Sequence, residues 1–373
     1  MKKIYLVTFF KGRNFGSILQ ATALSTFLSG QRYPVYVIEH FRVWGFILKH
    51  PAMLWCKLYN KATVKSRIKL IGTNPRVMPD DQRKRLNQFE KDNLNVISIT
   101  DEKKWRQIQA EDSVFITGSD LTWHPRYGYP GKFFLDFAYY AKKKRIAYAA
   151  SIGTFNLEKK FKSAYRRYLG SYSAIGVREK DSISILKPYT DTKTKWVVDP
   201  TLLLTAEQWD SLCEKAIVPA RVVPGKFVFC YFVMDDPKYW NYVEKISKRT
   251  GLEIVVLPMS AGDDERPYTV ISNGTPYEFI WLIKNAKFIC TDSYHACMFS
   301  IIYKNDFYLI RRTRKEEDSK YNGFLDRYDL QSRVVDGLEE FKEKNRTDYS
   351  KMKDKLEYDR KESIRFLLEE IEN

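Results

Sequence analysis

Three short stretches gather side chains that bind anions, move protons or hold sugars. The first is KFICTDSYHACMFSII, residues 287–302, where Asp292, Ser293, Tyr294 and His295 separate a short apolar run from a segment that opens a helix. Backbone N–H groups and the dipole of a helix N-terminus favour an anion, so a phosphate or carboxylate is the guest expected there. His295 can hydrogen-bond such an anion, pass a proton, or both. The same spacing also fits a plain cap, with Asp292 or Ser293 accepting from helix N–H groups and His295 structural. The second stretch is AIGVREKDS, in which Arg178 follows a strand-like run and Glu179, Lys180 and Asp181 open a helix. A guanidinium placed there can fork onto a carboxylate or phosphate, although such a run also suits a solvated helix start. The third is GSDLTWHP, residues 118–125. Gly118 and Ser119 turn away from the run SVFIT, and Asp120, Trp123 and His124 project from the loop. A carboxylate accepts hydroxyl protons and an indole face covers a sugar ring, so Asp120 with Trp123 suits carbohydrate, while His124 equally suits a turn.

The elements around these stretches alternate. IYLVTFF reads as a strand, KGRNFG as a loop, Ser17 with Gln20 as a capping box, and Ala21, Leu24, Phe27 and Leu28 recur at helical spacing before the strand YPVYVIE. The runs SVFITG, RIAYAAS and AIGVR follow, each ending in small or polar residues as parallel strands do where they feed ligand loops. After VVDPTLLLTAEQW the rhythm restarts: strand KFVFCYFV, helix 237–249, strand EIVVLP, helix PYEFIWLIKNA ending at Asn285, strand KFICT, helix HACMFSIIYK and strand DFYLIRR. The pattern predicts two doubly wound α/β domains with a cleft between them, over 1–205 and 206–337, with a helical segment over 338–373. GRNFGS is neither a GxGxxG nor a Walker loop, so no dinucleotide or ATPase site is expected.

Composition narrows the classes. Lys and Arg exceed Asp and Glu by 63 to 46, which points to anionic partners such as nucleic acid, anionic lipid or phosphorylated metabolites. No zinc-finger spacing, RRM signature or recognition helix supports nucleic acid. The five cysteines are scattered and form no CxxC pair, which predicts reduced thiols, no zinc site and a cytoplasmic setting. One segment breaks the α/β rhythm. Between Glu39 and Asp80 there is no acidic residue, while Arg42, Lys49, Lys57, Lys61, Lys65, Arg67, Lys69 and Arg76 lie among Trp44, Phe46, Leu48, Met53, Trp55, Leu58 and Tyr59. Pro51 should divide this insertion, about residues 42–91, into two short helices, with lysines every four residues from 57 to 69. Two readings fit: an amphipathic surface for an anionic membrane interface, or a helical insertion whose Trp and Leu side chains pack on the domain.

Taken in order, NFGSILQATAL, GSDLTWHP, ASIG, VREKDS, VDPTLLL and TDSYHACMFSII resemble the polysaccharide pyruvyl transferase family over residues 4 to 312. The resemblance implies two Rossmann-like domains in a GT-B arrangement. It also implies transfer of a carboxyethylidene group from phosphoenolpyruvate to two hydroxyls of a sugar, in a surface polysaccharide or its polyprenyl-diphosphate-linked precursor. No cofactor is called for beyond phosphoenolpyruvate as donor substrate. By the same resemblance, His295 and Arg178 match the family's donor-site histidine and arginine; Ser293, which can donate one hydrogen bond, and Lys180 are expected beside the donor from their positions next to these two. Many relatives carry Arg where this chain has Ser293, so Lys180, Arg311 or Arg312 would have to supply the missing charge. Asp120 is expected to orient or deprotonate an acceptor hydroxyl, Trp123 to be the sugar platform, and Asn14, Gly16, Ser17 and Ser119 to form the acceptor side. The second enzymatic reading is a GT-B glycosyltransferase that uses a nucleotide sugar. A lipid-linked acceptor would place the enzyme peripherally at the inner face of the cytoplasmic membrane.

Overall fold

A computed structural model describes residues 1–69, 76–312, 319–344 and 346–373; the side chains of residues 64–69 and 319 lie outside that description. Strands buried on both faces read as unbroken apolar runs. SVFIT and FVFCY are such runs, and every residue of both is buried. The N-terminal sheet contains β1 (Lys3–Val7), β2 (Val35–Phe41), β3 (Val96–Ile99), β4 (Ser113–Thr117), β5 (Lys144–Ala150), β6 (Ala174–Val177) and β7 (Thr194–Trp196). Its order is β3-β2-β1-β4-β5-β6-β7. The C-terminal sheet contains β8 (Phe227–Tyr231), β9 (Glu253–Val256), β10 (Thr269–Val270), β11 (Phe288–Thr291), β12 (Phe307–Ile310) and β13 (Val334–Val335), in the order β10-β9-β8-β11-β12-β13. Pairing is parallel throughout both sheets. The fold is α/β with two doubly wound domains. Strand order reverses between β1 and β4 and between β8 and β11, and ligand crevices open at the carboxyl ends of strands at such points.

The first helix, α1 (Phe15–Gly30), is capped by Asn14, whose side-chain oxygen accepts from the Gly16 N–H at 3.1 Å. The capping box expected from Ser17 and Gln20 does not form, because the helix begins before Ser17. The Gln20 amide is instead buried and donates to Thr8 Oγ1 at 2.9 Å and to the Phe9 carbonyl at 2.6 Å, tying α1 to the loop after β1. Phe15 seals the domain interface: its ring lies 6.1 Å from Tyr231 and 6.2 Å from Phe279, and its N–H donates to the Tyr231 hydroxyl.

Between β2 and β3 the insertion forms α2 (Trp44–Leu48), α3 (Pro51–Lys69) and α4 (Asp80–Asn93). Pro51 is the first residue of α3, where its missing N–H costs nothing. Arg76 does not belong to a solvated basic face. It is buried, paired with Asp264, and donates to Gln82 Oε1 at 2.7 Å and the Ser272 carbonyl at 2.7 Å. Its neighbour Gln82 donates to the Gly274 carbonyl at 2.6 Å, so the end of the insertion is fastened to the C-terminal domain.

The last helix begins at Tyr349, not near 338, since Phe341 is drawn into an aromatic cluster with Tyr242, Phe288 and Tyr308. It runs to Glu372 and returns to the N-terminal sheet, where Glu370 pairs with Lys193 at 2.8 Å and Glu362 with Lys195 at 2.9 Å.

Candidate active site

The loops after both switch points open into one cleft of ≈ 360 Å³. Lys11, Arg13 and Asn14 come from the loop after β1, Asp120, Arg126 and Tyr127 from the loop after β4, Val233 and Met234 from the loop after β8, and Ser293 to His295 from the end of β11. Arg178 enters after β6, and Arg312 after β12. Among the described lining residues arginine and lysine supply six side chains and Asp120 is the only carboxylate, so this lining is electropositive.

His295 stands in the first turn of the helix Tyr294–Ile302. Ser293 is the N-cap of that helix, and its oxygen accepts from the Ala296 N–H at 3.4 Å. Asp292 is not the cap. Its carboxylate accepts from the N–H groups of Val233 at 2.6 Å and Met234 at 3.1 Å, which ties the loop after β8 to the end of β11. The capping role is thus taken by Ser293, and His295 is left to face the N-terminal domain. The imidazole is buried against Gly16 so closely that any Cβ at that position would overlap the ring. Its Nε2 is 3.6 Å from Asp199 Oδ2 and has no hydrogen-bond partner among the described residues.

Asp199, in the VDPTLLL stretch, is the hub behind the histidine. One oxygen accepts from Ser119 Oγ at 3.0 Å and from Arg178 Nη1 at 3.4 Å; the other accepts from the N–H and hydroxyl of Thr201 at 3.0 and 2.8 Å. Burial alone would push this carboxyl up, but His295 and then Arg178 outweigh it and hold Asp199 well below the usual carboxylate range. Arg178 is itself fully committed. It donates to Glu179 Oε1 and Ser151 Oγ, both at 3.1 Å, and its guanidinium lies 4.1 Å from the centre of the Tyr294 ring. Burial opposes its charge, but Glu179, Tyr294 and Asp199 more than compensate, and the guanidinium holds its proton more tightly than usual.

In the loop after β4, Asp120 has a left-handed backbone, φ 68°, unusual for a residue with a side chain and a common mark of a functional turn. Its carboxylate accepts from Ser17 Oγ at 2.5 Å and from the Leu121 N–H at 2.9 Å. Asn14, Ser17 and Asp120 therefore share one wall of the cleft, and Gly16 provides the clearance for His295.

Other sequence expectations are corrected. Trp123 is not a sugar platform: it is 1% exposed, stacked on Phe134, and its Nε1 donates to the Phe133 carbonyl. Ser119 faces inward to Asp199 rather than towards an acceptor. Lys180 is exposed and outside the cleft lining, as is Arg311, whereas Arg312 and Lys320 are in it. Arg312 donates to the Asp292 carbonyl at 3.0 Å, which places a guanidinium beside Ser293. Arg13 Nη1 is a second buried polar atom of the cleft lining with no hydrogen-bond partner among the described residues.

The family model for polysaccharide pyruvyl transferase matches residues 14–311, a span that contains every cleft residue named above except Lys11, Arg13, Arg312 and Lys320. The chain belongs to that family. No curated protein matches the sequence. Two solved structures share the fold across nearly the whole transferase. UDP-GlcNAc 2-epimerase from Neisseria meningitidis bound to UDP-GlcNAc is 13% identical with a TM-score of 0.50, covering 97% of this chain and 94% of its own. Arabidopsis thaliana UGT89C1 complexed with UDP-L-rhamnose is 6% identical with a TM-score of 0.50, covering 99% and 98%. The arrangement is that of GT-B proteins.

Asp199 was missed as a site residue although its stretch contributed to the resemblance. Its signal is weak in one dimension, since an Asp before Pro reads as a turn residue. Arg13 and Arg126 look like ordinary loop cations until the fold brings their loops together.

Proposed function

We propose that the transferase moves a pyruvate ketal from phosphoenolpyruvate onto two hydroxyls of one sugar and releases inorganic phosphate. The observation that carries this reading is the set of cations in the cleft, with Arg13 Nη1 buried and lacking a hydrogen-bond partner among the described residues, beside the His295–Asp199 ion pair and with Asp120 as the carboxylate of the described lining. A small donor carrying both a carboxylate and a phosphate satisfies such groups, and a neutral donor does not.

In this reading Arg13, Arg312 and the N-terminus of the helix Tyr294–Ile302 hold the donor's anionic groups, with Arg178 reinforcing the charge from behind His295 and Asp199. His295 delivers a proton to the methylene carbon, converting it to methyl as C2 gains positive character. Asp199, held ionised, is the counter-charge that keeps the ring oriented and balances an imidazolium. One acceptor hydroxyl adds to C2 and loses its proton to Asp120. Phosphate departs with the C2–O bond, and the second hydroxyl closes the ring. The two hydroxyl protons are balanced by one gained at the methyl group and one carried away with phosphate. The acceptor belongs to a polysaccharide or to a polyprenyl-diphosphate-linked oligosaccharide presented at the inner face of the cytoplasmic membrane.

Melting curves with ligands separate this reading from nucleotide-sugar transfer. Phosphoenolpyruvate should raise the melting temperature and a set of UDP-sugars should not. The reverse pattern would assign the cleft to a nucleotide sugar.

A further inference from the structure

In the segment without acids between Glu39 and Asp80, α2 and the described part of α3 expose a group of apolar side chains. Of the eleven large hydrophobic side chains that stand in solvent among the described residues, four are here: Trp44 (56% exposed), Leu48 (61%), Trp55 (48%) and Leu58 (60%). On α3 the exposed positions Pro51, Trp55, Leu58 and Ala62 fall at i, i+4, i+7 and i+11, which is one face of a helix. On α2, Trp44 and Leu48 are one turn apart. Exposed Arg42, Lys49 and Lys61 border these residues.

The inner face of α3 has its own partners. Met53 and Cys56 are buried, and Asn60 brackets the Tyr129 backbone, accepting from its N–H at 2.7 Å and donating to its carbonyl at 3.1 Å. Lys57 donates to the Phe41 carbonyl at 3.0 Å, so it faces inward and does not extend the lysine row read from the sequence. Lys65 and Lys69 lie outside the described side chains. The outward apolar residues are therefore not fragments of an unfinished core. Solvent exposure of this much tryptophan and leucine in one place marks an interaction surface.

We propose that this face docks the protein on an anionic membrane surface. Trp44, Leu48, Trp55 and Leu58 enter the boundary between headgroups and acyl chains, and Arg42, Lys49 and Lys61 meet lipid phosphates. None of the described helices is long and apolar enough to cross a membrane, so the contact is peripheral. Charge decides the occupant. The chain carries a formal net charge of +17 and the described residues of α2 and α3 include no acid, so pairing this face with the same face of a second copy would bring Arg42, Lys49 and Lys61 together with their counterparts, a charge that Glu102 against Gly45 offsets only in part. The docking also has a geometric consequence. Tyr127, which lines the cleft, and Tyr129, which Asn60 clamps, belong to one loop, so α3 is hydrogen-bonded to that rim of the cleft.

Sedimentation of the full chain with vesicles tests this without any substrate, and its outcome does not depend on the reaction. Vesicles of phosphatidylcholine containing one-third phosphatidylglycerol should carry the protein down, and pure phosphatidylcholine should carry much less. An Arg42→Glu/Lys49→Glu/Lys61→Glu variant should lose at least about 100-fold in partition. A Trp44→Ser/Leu48→Ser variant should also lose partition with every cation kept; it spares Trp55, which stacks on Tyr59 and meets Tyr129 edge-on. Unchanged melting temperatures verify that both variants fold. Equal partition of wild type and charge-reversal variant, or no partition of the wild type, overturns the proposal. So does a wild-type dimer that Trp44→Ser/Leu48→Ser makes monomeric with no vesicle binding, which would give the face to a second copy.

Discussion

Gly16 of the N-terminal domain and His295 of the C-terminal domain are packed so that the imidazole occupies the space where a Cβ would be. The contact crosses the domain interface and holds a ring whose Nε2 is 3.6 Å from Asp199 Oδ2. Gly16→Ala should therefore push His295 off its position and lower turnover by about 100-fold, because small displacements of a reacting group are costly. The measurement is steady-state turnover alongside a melting curve. Turnover within a few-fold of wild type would show that the ring tolerates displacement.

Arg178 and His295 should separate in stability. Arg178→Ala leaves Glu179 and Asp199 buried without their common cation, a loss of about 3–5 kcal/mol. His295→Ala removes a ring whose Nε2 has no hydrogen-bond partner and leaves Asp199 paired with Arg178, so its fold should be far less affected. Denaturant titrations of the two variants check this. Equal destabilisation would mean that Arg178 is less central to the buried network than its contacts indicate.

The cation beside Ser293 is Arg312 and not Lys180. Arg312→Gln should raise KM for phosphoenolpyruvate by about 10- to 100-fold, the worth of a charge-assisted hydrogen bond. Lys180→Gln should leave it unchanged. The opposite ranking would return the role to Lys180.

One acid outside the cleft gives a pH test of the fold. Burial pushes the Asp136 carboxyl up to about 6, with Lys57, the Phe137 N–H and Arg145 pulling only partly the other way. The folded value exceeds the unfolded one, so the contribution of Asp136 to stability is complete below about pH 4 and is lost as pH rises through 6. Asp136→Asn keeps an oxygen to accept from the Phe137 N–H at 2.9 Å. It should melt higher than wild type at pH 8, with the gap closing towards pH 4. A gap that widens on acidification would contradict the assignment.

Much of this architecture is written in the chain. Buried parallel strands such as SVFIT and KFICT are continuous apolar runs, and the polar residues at their ends identify the cleft loops. Two kinds of feature are not written there. Trp123 and Ser119 sit in a loop that looks solvated, but the residues that bury them, Phe134 and Asp199, are up to 80 positions away in sequence. Arg76 looks like one more cation of a basic segment until the fold supplies Asp264. In each case the deciding partner is brought in by tertiary contact, to which local patterning is blind.

The most direct test is acceptor-dependent phosphate release from phosphoenolpyruvate, measured with oligosaccharides that carry neighbouring free hydroxyls. Wild type should release phosphate in step with ketal formed on the sugar, and His295→Ala should fall by about 1000-fold while remaining folded. Near-normal turnover in His295→Ala, or phosphate release with no pyruvate attached to the acceptor, would contradict the account.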